Sequence, residues 1–301
     1  MELRHLRYFV AVAEELSFTR AALRLHIGQP PLSMQIRDLE RELGVVLFER
    51  SGRKVALTEA GRVFLERARG ILAEAANATE EARRAGRGEV GELRIGFTSS
   101  LPYASTLPDV LHAYRRRYPA VRLQLREMFT TDQFDALAHD ALDVGFVRFG
   151  NLPAPPGIAV TEIGRDPLRL VMNAAHPLAA APALGFEALS GEDFITFPPD
   201  AGTGLPAILQ QLCRKAGFEP RIVQTAREAT TQIGLVGAGL GIALLPVPLE
   251  CVRIPRVRYV PLTDPEALFL LAVAHRAQPP RALLAGFLAV VAEVAKIPAR
   301  G

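Results

Sequence analysis

The sequence has no tryptophan, two cysteines and six scattered histidines, and each scarcity excludes a class of function. With no secretory context, Cys213 and Cys251 are expected to remain free thiols in a reducing compartment. No H-x-x-x-H or C-x-x-C pair occurs, so zinc chemistry lacks a ligand set, and no G-x-S-x-G elbow offers a hydrolase nucleophile. The stretch GAGLGI at 237–242 comes nearest to a dinucleotide loop, but its third glycine falls one place early. It also joins a helix to a strand, whereas a pyrophosphate needs the amino terminus of a helix that follows a strand. These absences exclude an assembled catalytic set, and no metal or cofactor is expected. No apolar run reaches the roughly 18–20 residues of a membrane span, and the amino terminus lacks a signal-peptide pattern, so a cytoplasmic chain with no membrane partner is expected. Its 301 residues, 49% of them hydrophobic, suffice for two or three domains.

Charge is scarce in net terms but uneven in placement. Residues 1–88 hold fifteen Lys or Arg against twelve Asp or Glu, and the remaining chain holds twenty of each, so the whole excess of +3 lies at the amino-terminal end. That placement suits a chain that docks on nucleic acid with one end and does something else with the other. Within it, Phe18, Ala21, Ala22 and Leu25 form a short amphipathic helix that breaks at His26-Ile27-Gly28. A second helix starts at Gln29-Pro30-Pro31 and turns Leu32, Ile36, Leu39 and Leu43 inward. Proline needs no N–H in a first turn, so Gln29 can sit at the tip of the helix, where its dipole points outward. Thr19, Gln29, Pro30, Pro31, Ser33, Met34 and Arg37 are the candidates for facing DNA. Leu47–Arg50 and Val55–Leu57 read as strands around the basic turn Ser51–Lys54, a wing from which Arg53 is expected to enter the minor groove.

The run MELRHLRYFVAVAEELSFTRAALRLHIGQPPLSMQIRDLERELGVVLFERSGRKVALTEAG resembles the amino-terminal domain of LysR-type transcriptional regulators over its whole length. Two positions depart from that family. Gly28 stands where Ser or Thr is usual, which keeps a helix cap but removes a phosphate-contacting hydroxyl. Met34 replaces a usual Arg or polar residue with an apolar contact suited to a thymine methyl. From Glu59 a helix is expected to run to about Arg87, with Phe64, Ala68, Ile71, Ala75, Ala78, Ala82 and Ala85 as a small-residue heptad seam. The resemblance implies that this linker pairs two subunits, giving a homodimer or homotetramer on double-stranded operator DNA, with RNA polymerase as a further partner.

Beyond the glycines 86, 88 and 91, strands alternate with helices, which indicates a parallel sheet with crossovers. The resemblance implies the rest: a mainly α winged helix-turn-helix domain (1–58), a linker helix (59–88), and a two-lobed, periplasmic-binding-protein-like α/β effector domain. Lobe I is expected over 89–163 and 268–301, and lobe II over 164–267. Ligands of open α/β sheets lie beyond strand carboxyl ends, against helix amino termini. Ser99 and Ser100 follow the first strand and Thr130 and Thr131 the second, a donor set suited to a small carboxylate effector. Arg148 ends the third strand as a candidate cation; Phe197 and Pro198 would cover the ligand, and Thr230, Thr231 and Gln232 would add polar contacts. The segments GFTSSL, EMFTTDQFDAL and LDVGFVR resemble most the branch of the family that senses muconate and related aromatic breakdown acids. In that branch a serine and a threonine hold the effector carboxylates, which maps onto Ser99 or Ser100 and onto Thr130. The competing reading is a constitutive DNA-architectural protein or repressor, which effector-dependent footprinting separates from a sensor.

Overall fold

The computed structural model describes residues 1–51, 54–149 and 154–296, and the chain divides after Arg84 into two compact units. In the first, α1 (Leu3–Glu15), α2 (Phe18–Arg24) and α3 (Gln29–Leu43) precede a hairpin of β1 (Phe48–Ser51) and β2 (Lys54–Leu57). Ser17 caps α2, its hydroxyl accepting from the Arg20 N–H at 3.4 Å, and Gly28 begins α3 with no side-chain cap. Leu6, Phe9, Phe18, Leu32, Ile36, Leu39 and Phe48 pack into one core, in which the rings of Phe9 and Phe48 lie 5.3 Å apart. The hairpin is tied to α3 by Glu40, whose carboxylate accepts from the N–H groups of Leu47 and Phe48 at 2.8 and 3.2 Å.

The long helix α4 (Glu59–Gly86) changes the reading of the heptad seam. Ala68 is fully buried in this same core, and Phe64 sits edge-on to Phe9 with centroids 5.0 Å apart. Those two residues therefore help to hold the helix to its own unit, Ala68 wholly and Phe64 with part of its ring still exposed. The exposed large apolar side chains of the helix are Ile71 and Val63, beside the exposed seam alanines Ala78, Ala82 and Ala85, and Val63 falls outside the seam because it lies one place before Phe64.

The second unit begins with β3 (Gly91–Phe97), α5 (Thr106–Arg117), β4 (Val121–Glu127), α6 (Thr130–Ala138) and β5 (Val144–Phe149). There follow the long β6 (Ile158–Asn173), β7 (Asp193–Thr196), α7 (Leu205–Lys215), β8 (Arg221–Thr225), α8 (Ala229–Gly237) and β9 (Ile242–Pro246). The unit ends with β10 (Val257–Pro261), β11 (Leu268–Arg276) and α9 (Ala282–Val294). The strand order is β4-β3-β5-β11-β6-β9-β7-β8, with β10 paired to β6. Both ends of this sheet are parallel, as the alternation of strands and helices requires, while β6 and β11 run antiparallel through the middle.

Those two strands join the lobes. Gly164, where lobe II is expected to begin, lies inside one 16-residue strand that pairs first with β11 and then with β9 and β10. The ladder shifts register near Gly164, opposite Leu271 and Ala272, so the glycine marks a bulge within a continuous crossing. Separate cores lie on either side: Phe146, Tyr114 and Phe287 anchor one, Phe186, Phe194 and Leu212 the other. Among the described residues no helix is long and apolar enough to cross a membrane.

Candidate functional site

On the first unit, α3 buries Leu32, Ile36 and Leu39 and thereby fixes which side chains face outward. Gln29, Pro30, Pro31, Met34 and Arg37 are exposed, as is Thr19 on α2, while Ser33 is half-buried. Arg24 pairs with Glu14 and Arg41 with Asp38, each at 2.8 Å, whereas Arg37 has no carboxylate partner among the described residues. A guanidinium left unpaired beside a docking helix keeps its donors for phosphate. Arg53 lies outside the described residues.

The second unit holds a cavity of about 30 Å³ between its lobes. Thr98, Ser99 and Ser100 enter it after β3, Phe129 at the start of α6 and Arg148 near the end of β5. Phe269 on β11 and Phe197, Leu205, Ala229 and Leu249 from the second lobe complete an apolar wall. Arg148 dominates its chemistry. The residue is 1% exposed, its Nη2 donates to Asp166 Oδ2, and its guanidinium lies 5.5 Å from the Phe269 ring centre. Nε and Nη1 are buried with no protein acceptor, and so is the hydroxyl oxygen of Thr98. Burial pushes the Arg148 pKa down, opposed by the Asp166 carboxylate. Leaving a buried donor unpaired costs about 1–3 kcal/mol, more for a charged group, so these N–H groups favour an anionic oxygen placed beside them.

Several expected ligand contacts have other roles. The Thr130 hydroxyl donates to the Arg148 carbonyl at 2.7 Å and accepts from its N–H at 3.1 Å, so it positions the arginine and does not line the cavity. Thr131 faces Gly202 across the cleft. That glycine has φ +64°, and a Cβ on it would lie 1.9 Å from the threonine Oγ1, so only glycine permits the lobes to approach this closely. On α8, Thr230 and Thr231 are exposed, because the helix turns Ala229 inward. Gln232 is buried but donates to the Ala226 carbonyl at 3.0 Å, securing the loop before its helix, and Pro198 is half-buried outside the cavity lining. Cys213 is a core residue whose thiol is pushed up to about 12 by burial, which leaves it inert as a thiolate.

An exposed face of α3 that carries an unpaired guanidinium on one unit, and a cavity with a buried cation between two α/β lobes on the other, are the features of a DNA-binding regulator with a small-molecule effector domain. The chain matches the bacterial regulatory helix-turn-helix model of the lysR family over residues 3–62 and the LysR substrate binding domain over residues 86–296. It belongs to the LysR family of transcriptional regulators. It is 45% identical to the uncharacterised HTH-type transcriptional regulator YnfL of Escherichia coli (strain K12), across 94% of this chain and 95% of that protein. The crystal structure of full-length CbnR with its target DNA is similar over 98% of this chain and all of that one, at 33% identity and a TM-score of 0.84. The BenM effector-binding domain with its effector benzoate covers 68% of this chain and 92% of its own, at 29% identity and a TM-score of 0.62.

Proposed function

We propose that this regulator binds operator DNA as a homodimer or homotetramer and is switched by a small carboxylate held between the lobes, with Arg148 as its principal partner. The observation that carries the reading is the buried guanidinium with Nε and Nη1 unpaired beside the Thr98 hydroxyl. Ser99 and Ser100 stand at the same wall, and the apolar side suits a hydrocarbon body. The benzoate of the BenM domain is an acid of this kind. The domains on this reading are 1–58, 59–88 and 89–301, with RNA polymerase as a further partner in the cytoplasm, and the chain acts as a regulator without catalysis.

A cavity of about 30 Å³ is far below the roughly 300–1,000 Å³ of small-molecule sites, so a ring-bearing acid enters only as the lobes part. The ligand then shifts the protein by its greater affinity for the parted arrangement. A thermal-shift titration with benzoate tests this. Saturation at about 100 times Kd should stabilise the wild-type protein by about 2.7 kcal/mol, and Thr98→Val, which removes one donor, should need several-fold more ligand. Equal stabilisation of both proteins would move the binding site away from this wall.

For the DNA end, Arg37→Ala should weaken binding to every duplex alike and reduce the salt dependence of log K by about one unit. Gel shifts at several salt concentrations read both effects. An unchanged slope would remove Arg37 from the phosphate contacts.

A further inference from the structure

The Arg148 cavity adjoins a wider space of about 470 Å³ that shares Ser99 and Phe129 with it. Its charged lining is acidic: Glu127 at the end of β4, Asp132 in the first turn of α6, and Glu228 before α8 on the opposite lobe. Arg227 is the cation of this lining, and it is already engaged. Its guanidinium lies 5.2 Å from the Phe129 ring centre and 3.4 Å from Asp200. Among the described residues, no ion pair neutralises Glu127, Asp132 or Glu228. Burial, and then the facing Glu228 carboxylate, push the Glu127 pKa up, so negative charge is already disfavoured at that point.

The two poles of the site therefore differ in sign. An acid bound with its carboxylate at Arg148 and its body against Phe129 directs its far end towards three carboxylates. Resting on the carboxylate reading above, we propose that the interlobe site selects monocarboxylates whose far end is neutral or cationic, and discriminates against dicarboxylates. Rejection arises from three like charges converging on one end of the ligand: Glu127, Asp132 and Glu228 are exposed, so each repels only modestly through water, but the three act together, and the nearby Arg227 guanidinium is shared with Asp200. A cationic far end would gain from the same three groups.

Calorimetric titration of the full-length protein at neutral pH with benzoate, 4-(aminomethyl)benzoate and terephthalate tests this, since the three share one ring and differ in the far group. Terephthalate should bind about tenfold or more weakly than benzoate, and the aminomethyl acid at least as tightly. Glu127→Gln and Glu228→Gln keep shape and remove charge, so each should narrow the gap between terephthalate and benzoate, with melting temperatures checking that both variants fold. Terephthalate binding within twofold of benzoate, or a gap unchanged in both glutamine variants, overturns the selectivity while leaving the carboxylate site intact. Should none of the three bind the wild-type protein, the carboxylate reading and this inference fail together.

Discussion

Replacing Arg148 with methionine should abolish the response to benzoate while leaving the protein at least as stable as before. The two effects have one origin. The guanidinium is buried with Nε and Nη1 unpaired, so the folded protein bears its desolvation without full compensation. Methionine fills a similar volume with no donor to satisfy. Its removal strands no deeply buried partner, because the Asp166 side chain is 26% exposed and can turn to water. The unliganded melting temperature should hold or rise, whereas carboxylate affinity should fall by about a hundredfold or more, the scale of removing one member of a buried charge pair. Thermal melts with and without benzoate separate the two. A variant that loses stability yet keeps its benzoate shift would make Arg148 a structural residue.

The second large effect concerns assembly. Ile71→Glu should dissociate the protein and abolish operator binding together, because Ile71 and Val63 are the exposed large apolar side chains of α4 and a two-fold pairing would set glutamates against each other. Sedimentation velocity and gel shift read the two losses. Phe64→Ala is the control: Phe64 packs on Phe9 inside its own unit, so that change should lower the melting temperature first. An Ile71→Glu protein that sediments as the wild type would place the subunit contact elsewhere.

The contrast between Phe64 and Ile71 shows what could be read from the chain. The helix-turn-helix, the wing strands and α4 are local objects whose caps, turns and apolar spacing lie within a few residues of one another, so their order was legible. A heptad seam fixes which residues share a face but not what that face meets, and Phe64 and Ala68 meet their own core. The continuity of β6 is not legible locally, because Gly164 and Pro167 have the look of breaks; Pro167 pairs with Leu268, and the glycine sits at a bulge. β10 (Val257–Pro261), which follows Pro255 and ends on a proline, is masked in the same way.

At the cleft, the strand-end rule found Ser99, Ser100 and Arg148 because it concerns backbone ends. It could not tell that the Thr130 hydroxyl turns back onto Arg148, nor that α8 offers Ala229 and directs Thr230 and Thr231 to solvent. Phe269 and Leu249 arrive from distant parts of the chain with no local signal. Thr98 was visible in the hydroxyl-rich loop, but its unpaired oxygen depends on the packing around it.

The most direct test of the interlobe carboxylate site follows Arg148 itself. An arginine-selective ¹H–¹⁵N spectrum of the full-length protein, with the Arg148 Nε–H signal assigned by its loss in Arg148→Lys, would be recorded through a benzoate titration. The expected result is a saturable shift of that signal with the same midpoint as the thermal stabilisation, since a carboxylate oxygen would take up the unpaired Nε–H. Stabilisation by benzoate with the Arg148 signal unmoved would contradict the account.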